Sequence, residues 1–199
     1  FDECTSGFRE TFGGLHKKYG VNPDMAIFGK ALGNGYAITA LIGRREIMEA
    51  AQSTFISSTF WTERIGSVAA LKTLEIMERD KSWETITNTG NNISKSWLNL
   101  GNKYKLDVSV SGLPALTGFN IHSDDWLKYK TLITQEMLKK GILATDSVYV
   151  CIEHKYRIVE DYFEKLEPIF EQIERCENGF PIDQLLDGSV CHVGFKRLN

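Results

Sequence analysis

Asp24-Met25-Ala26-Ile27-Phe28-Gly29-Lys30-Ala31-Leu32-Gly33-Asn34-Gly35-Tyr36 decides how the chain is read. Met25-Ala26-Ile27-Phe28 is a short apolar run and predicts a buried strand. Gly29 ends it, Lys30 follows at once, and Gly33-Asn34-Gly35 predicts a turn. A lysine at the mouth of a buried strand has its stem enclosed and its ammonium poorly hydrated. Burial disfavours a charged side chain, and a neutral lysine amine is the nucleophile that forms Schiff bases with carbonyls. Taken alone, the same residues also suit a strand-end lysine whose head reaches water. The residues on either side separate the two.

Upstream, Phe1-Asp2-Glu3-Cys4 reads as the end of a strand delivering carboxylates into a loop, Thr5-Ser6-Gly7-Phe8-Arg9, that runs on to Gly13-Gly14. Viewed alone, Asp2 also fits a turn or capping carboxylate. The chain opens without an initiator methionine in a strand already under way, which predicts a piece of a longer polypeptide. Downstream, Ile38-Thr39-Ala40-Leu41-Ile42 reads as a strand, followed by a helix from Arg44 to about Ser53. Ser57-Ser58-Thr59-Phe60-Trp61-Thr62 is a polar and aromatic loop, and Thr62 suits the N-cap of a helix over residues 63–79. Ile65, Val68, Ala69 and Ile76 share one side of that helix, and Leu71 and Leu74 widen it, so the helix is expected to be largely buried. A hydroxyl-rich loop at such an N-terminus suits an anion, although Thr59 or Thr62 also suits ordinary capping.

From Ser82 a second helix carries Trp83, Ile86, Gly90, Ile93, Trp97 and Leu100 at alternating spacings of three and four, a single apolar seam. Gly90 in that seam predicts close approach of a neighbouring element. Val108-Ser109-Val110 and Phe119-Asn120-Ile121 flank Gly112-Leu113-Pro114 and predict a hairpin. Ser123 or Asp124 is expected to cap a helix over residues 125–140, with Gly141 as its stop. Short strands are expected at Ile142-Leu143 and at residues 148–152. A last helix spans residues 156–176, striped by Ile158, Tyr162, Leu166, Ile169 and Ile173, and Pro168 is expected to kink it. The organisation is therefore an α/β portion over residues 1–80, a connecting helix over 81–100, an α+β unit over 101–180 and a tail over 181–199.

Composition narrows the function. A formal charge of −3 gives no case for nucleic acid or an acidic membrane as partner. No apolar run approaches the roughly 20 residues of a membrane span, and no targeting segment is visible. Cys4, Cys151, Cys176 and Cys191 are scattered without CxxC spacing, which suits reduced cysteines in a cytoplasm and no metal site. Cys191-His192 reads as packing.

Asp2 and Lys30 at strand ends and Thr59 ahead of a helix then form a set. Ligands of α/β sheets bind where strand ends converge. A carboxylate, a Schiff-base lysine and a phosphate-binding hydroxyl are what pyridoxal 5′-phosphate needs.

These residues sit in motifs that resemble the class III, fold-type I aminotransferases, within them the glutamate-1-semialdehyde aminotransferase-like branch. The matching stretches are Phe1 to Arg9, Pro23 to Tyr36, Ala40 to Met48 and Ser58-Thr59-Phe60, and the separation of Asp2 from Lys30 also suits the family. The resemblance covers nearly the whole chain as the family's C-terminal portion: the second part of the PLP-binding large domain and the C-terminal small domain. It implies that Asp2 binds the pyridine nitrogen and that Lys30 holds the cofactor's aldehyde and shuttles protons. It implies that Thr59 reaches the cofactor phosphate of the neighbouring subunit, which makes a homodimer with sites at its interface. Cys4 stands where the family usually has a valine against the ring.

Three departures accompany the likeness. The family's first half, with its phosphate loop and ring-stacking aromatic, is not in this sequence. Trp61-Thr62-Glu63-Arg64 replaces the usual Ser-Gly-Asn-Pro, and the segment from Gly141 to His154 is shorter than in the aminomutases. The ending Val190 to Arg197 is similar to family members among polysaccharide-biosynthesis enzymes. The expected function is transamination between a small-molecule amino donor and a carbonyl acceptor, a small oxo-acid or a sugar-linked aldehyde or ketone. A 2,1-aminomutase, or a non-catalytic fragment lacking half of the cofactor pocket, are the alternatives.

Overall fold

The computed structural model describes residues 1–57, 59 and 62–194. The chain divides into two compact units, Phe1–Thr87 and Asn88–Asn199.

The first unit is built on a three-stranded sheet in the order β1 (Asp2–Glu3), β2 (Met25–Phe28), β3 (Ala40–Gly43). β1 runs parallel to β2, with Asp2 opposite Ile27 and Glu3 opposite Phe28, and β3 returns antiparallel. Side chains alternate across a strand, so Ala26 and Phe28 turn into a small core with Leu32 and Ala70, backed by Phe8, Ile38, Ala40 and Leu74. Met25 and Ile27 turn the other way and stay 42% exposed each. The described residues thus cover β2 on one face, where its apolar run predicts burial on both. The helical turns α1 (Arg45–Met48) and Glu49–Ser53 follow β3, and α2 (Ile65–Asp80) comes next.

α2 also departs from expectation. Gly66, Ala70 and Met77 are its buried residues, while Ile65, Val68 and Leu71 are 58%, 63% and 69% exposed. Gly66 and Ala70, with Leu74, lie toward the sheet, in place of the expected Ile65, Val68 and Leu71. The close approach shows at Gly66, where a Cβ would fall 2.4 Å from the Ala37 carbonyl oxygen. Thr62 does not cap α2. Arg64 occupies that position without a side-chain cap, and the Glu63 carboxylate accepts the Ile65 N–H at 2.8 Å.

α3 (Ser82–Lys103) carries the predicted seam, with Ile86, Ile93, Trp97 and Leu100 all buried. In the second unit, a Cβ on Gly90 would lie 1.8 Å from the Pro114 carbonyl oxygen, so only glycine fits there. The hairpin forms as β4 (Val108–Ser111) and β5 (Leu116–Ile121), and β6 (Ser147–Tyr149) adds antiparallel to β5. α4 (Trp126–Lys139) and α5 (Tyr156–Glu177) complete the unit. Trp97, Ile133, Met137, Leu166, Phe170 and Ile173 are fully buried, and the Trp97 indole donates to the Tyr162 hydroxyl at 3.0 Å.

Smaller corrections follow from partners that local sequence does not reveal. Asp125, not Ser123 or Asp124, is the N-cap of α4; the Ser123 hydroxyl accepts the Asp125 N–H instead. Ile142-Leu143 forms no strand, and Leu143 is 90% exposed because no neighbouring strand reaches it. Ile158 lies at the exposed start of the α5 stripe. Ser58, Phe60, Trp61 and the terminal Phe195-Lys196-Arg197 lie outside the described residues.

Candidate active site

β1 and β2 end side by side because they are parallel and in register, and the residues that follow each strand form the site. Asp2 and Glu3 are adjacent, so they face opposite ways. Asp2 is exposed and Glu3 is buried. The Cys4 N–H donates to Asp2 Oδ1 at 3.0 Å. That bond, the Cys4 thiol and the nearby Lys30 charge hold the Asp2 carboxyl below the usual carboxylate range. Asp2 is therefore an anion primed to face a cation.

Lys30 opens a short 3₁₀ turn, Lys30–Leu32, directly after Gly29. It sits in the left-handed region at φ 40°, an uncommon conformation for a residue with a Cβ. Among the described residues its side chain is exposed, where its place after an apolar strand predicts enclosure. Nζ donates to the Thr5 hydroxyl. Cys4 lies between the two strand ends, its Sγ 3.6 Å from where a Cβ on Gly29 would be. Burial pushes the Cys4 thiol up and the Asp2 carboxylate adds to this, so Cys4 presents a protonated thiol, a packing group and not a thiolate nucleophile.

Asp2, Cys4 and Lys30 thus come together at one strand end. Thr59 does not join them through any described contact: it lies on an exposed turn, ahead of α2, whose first residue is Ile65.

Two functional neighbours escape a reading by residue type. Glu3 organises the loop that frames the site. Its carboxylate accepts the Leu15 N–H at 2.6 Å, the His16 N–H at 2.9 Å and the Ser6 hydroxyl at 3.0 Å, and lies 2.8 Å from His16 Nδ1. Burial pushes the Glu3 carboxyl up, but the His16 and Leu15 donations outweigh that, and the net direction is down. Strand alternation was the available signal: of two adjacent carboxylates, one had to face inward. Thr5 is the other, and its place next to the strand end was its only mark.

A groove of about 540 Å³, lined by Asn92, Lys95, Asn99, His154, Glu160 and Phe163, belongs to the second unit and includes none of Asp2, Cys4, Lys30 or Thr59. Among the described residues no group of three or more His, Cys, Asp or Glu side chains is arranged to hold a metal ion. Among the same residues no helix is long and apolar enough to cross a membrane. The donor set, a carboxylate and a primary amine on adjacent strand ends with a neutral thiol between, fits a ligand that carries both a cationic ring nitrogen and an aldehyde.

A 3-aminobutyryl-CoA aminotransferase of Cloacimonas acidaminovorans is 36% identical over 160 residues, which are 77% of this chain and 39% of that protein. A glutamate-1-semialdehyde 2,1-aminomutase of Methanocaldococcus jannaschii is 26% identical over 191 residues, 87% of this chain and 45% of that one. The chain spans less than half the length of these curated relatives. The FumI protein of Sphingopyxis sp. MTA144, solved in its PLP internal aldimine form, superposes with a TM-score of 0.81 at 23% identity, over 93% of this chain and 45% of that one, and shows the fold. The family profile described as "Aminotransferase class-III" matches residues 1–176, and the chain belongs to that family.

Proposed function

We propose that the protein carrying this chain is a pyridoxal 5′-phosphate-dependent aminotransferase that moves an amino group between a small-molecule donor and a carbonyl acceptor. The observation that carries the reading is the placement of Asp2 and Lys30 at adjacent parallel strand ends, where the lysine's charge acts on the carboxylate. When bound, the cofactor supplies an aldehyde and an electron sink for negative charge at the substrate carbon. Lys30 Nζ would hold the aldehyde and, when free of it, carry a proton to and from that carbon. Asp2 would hold the ring nitrogen in its cationic form, and Cys4 would pack against the ring. Thr59 would bind the cofactor phosphate held by the other subunit of a homodimer, in a cytoplasmic enzyme. The name of the most identical relative reported above adds a β-amino acyl thioester to the donors worth testing, beside a small oxo-acid or sugar-linked carbonyl as acceptor.

Borohydride reduction of the full-length protein with its cofactor, followed by peptide mapping, is expected to place the pyridoxyl group on Lys30. Label on another lysine overturns the reading. For Thr59, a mixed dimer of Lys30→Ala and Thr59→Ala subunits is expected to retain one intact site with ordinary cofactor retention. A mixed dimer without such a site refutes action across the interface.

The aminomutase remains the second reading, because curated aminomutases match 70% or more of this chain. The short stretch between Gly141 and β6 weighs against it: a mutase must retain a diamine while the cofactor is converted back, and this stretch leaves little loop to cover it. Incubation with glutamate-1-semialdehyde and no other amine separates the two, since steady formation of 5-aminolevulinate requires the mutase.

A further inference from the structure

Lys30 carries its amine on a four-carbon stem with many rotamers, exposed at a strand end, so its backbone alone does not fix where the amine rests. One described contact does so: Nζ donates to Thr5 Oγ1. Thr5 is itself held from several sides. The Arg9 Nε–H donates to the Thr5 carbonyl oxygen at 2.6 Å. The turn that contains Thr5 is closed by the Gly7 N–H donating to the Glu3 carbonyl oxygen at 2.9 Å. Gly7 is pressed onto β2 so closely that a Cβ there would lie 2.6 Å from Phe28 Cδ1, within the strand that delivers Lys30. Ser6, next in sequence, is tied to the buried Glu3 carboxylate at 3.0 Å. The hydroxyl that receives the amine therefore stands on a rigid turn locked to the same strand. Lys30 leaves that strand through a left-handed φ of 40°, which turns its stem out of the strand direction.

We propose that Thr5 is a positioning residue for Lys30: its hydroxyl oxygen accepts a hydrogen bond from Nζ and fixes where the amine rests whenever it is not bonded to cofactor. This rests on the assignment of Lys30 above. The contact holds the side-chain head against the turn, so it restrains the approach of the nitrogen to a carbonyl presented elsewhere, and it returns the amine to one location between turnovers. Asp2, exposed on the neighbouring strand, is left to the ring nitrogen because the hydroxyl, not the carboxylate, receives the amine.

The test measures the amine itself, in apoprotein. Full-length protein freed of cofactor is treated briefly with an acetylating N-hydroxysuccinimide ester, and labelling of Lys30 is scored by mass spectrometry relative to exposed surface lysines of the same molecule. A net hydrogen bond of this kind corresponds to roughly a two- to tenfold change in population. Thr5→Val, which keeps the shape and removes the hydroxyl, is expected to raise the Lys30 ratio by about that factor, and Thr5→Ser is expected to restore the wild-type ratio. Unchanged labelling in Thr5→Val overturns the proposal, and so does a Thr5→Ser ratio equal to that of Thr5→Val, because the hydroxyl is then not the cause. Should Thr5→Val fail to fold, Thr5→Ala read against Thr5→Ser gives the same comparison. Borohydride mapping run in parallel keeps the two ideas apart: a pyridoxyl group on Lys30 with no effect of Thr5 sinks this inference alone, and a label elsewhere sinks the assignment of Lys30.

Discussion

Phe28 and Trp97 are each the anchor of a buried cluster, and the clusters differ in kind. Around Phe28 the first unit gathers Ala26, Leu32 and Ala70, while Met25, Ile27, Leu41, Ile65, Val68 and Leu71 stay substantially exposed. Around Trp97 the second unit gathers Phe119, Phe170 and other large side chains that are almost wholly buried, with ring centroids 4.7 Å apart for Trp97–Phe119 and 5.9 Å for Phe119–Phe170. A parallel strand pair is ordinarily covered on both faces, and β2 is apolar on both, yet the described residues cover one. The second unit, by contrast, closes its core with its own antiparallel sheet and helices. The chemistry-bearing residues lie on the open unit, and the dense packing lies in the other.

That division sets the largest expected effect. Trp97→Ala removes a fully buried indole and the hydrogen bond it donates to Tyr162. Loss of such a side chain typically costs about 3–5 kcal/mol, and the denaturant midpoint reported by the second unit is expected to fall accordingly. A loss below about 1 kcal/mol would mean that the unit is looser than its packing, and the contrast with the first unit would lose its basis.

Asp2→Ala should do the reverse. Removing a group preorganised against a developing charge lowers turnover by roughly two to three orders of magnitude. The exposed Asp2 side chain supports no core, so thermal unfolding of the full-length protein should be unchanged. Near-normal turnover, or a collapse of stability with it, would break the separation of roles. Gly90→Ala comes next in size. Its Cβ would meet the Pro114 carbonyl 1.8 Å away, a backbone atom that cannot simply rotate aside. Overpacking of this kind costs about 1–3 kcal/mol, read as a lower midpoint for the second unit with activity per folded molecule retained.

The second unit was the more legible half. The seam of α3, the hairpin around Gly112 and the stop of α4 at Gly141 follow from periodicity and turn chemistry, and Gly90 marked a close approach although its partner, Pro114, lies in a different element. The first unit misled the same rules. Ile65, Val68 and Leu71 have the spacing of a buried face, but α2 packs through Gly66 and Ala70, and periodicity cannot say which of two faces finds a partner. That Asp2 and Lys30 lie at strand ends was legible, because the short strand runs beside them are local. The enclosure of Lys30 was not, since it depends on what lies over the strand. Nor was the contact with Thr5, a bond between residues 25 apart in sequence.

The smallest expected effect is one of pH, and it separates the units without a large perturbation. In the second unit, His154 Nδ1 accepts the Cys151 N–H at 3.0 Å, which requires the neutral ring with its hydrogen on Nε2. Burial holds the His154 imidazole below its ordinary value, despite Glu160 and Asp161, which line the cavities that His154 also lines. An unfolded histidine takes up its proton near pH 6.5, so as pH falls below about 6.5 the unfolded state binds the proton first and the stability from His154 is lost through its lower folded value. In the first unit the corresponding group is Glu3, held down in the folded state by the Leu15 and His16 N–H groups against its own burial. Its contribution is intact above the ordinary glutamate value of about 4.3 and is lost only as pH falls below that. Amide exchange read residue by residue is therefore expected to show the Cys151 N–H losing protection as pH falls below the ordinary histidine value of about 6.5, while Leu15 and His16 keep theirs until pH falls below the ordinary glutamate value of about 4.3. In His154→Gln the first transition should disappear and the second should stay. If both sets of amides lose protection together, the two units do not respond to protons independently, and the contrast drawn from their packing would not extend to their electrostatics.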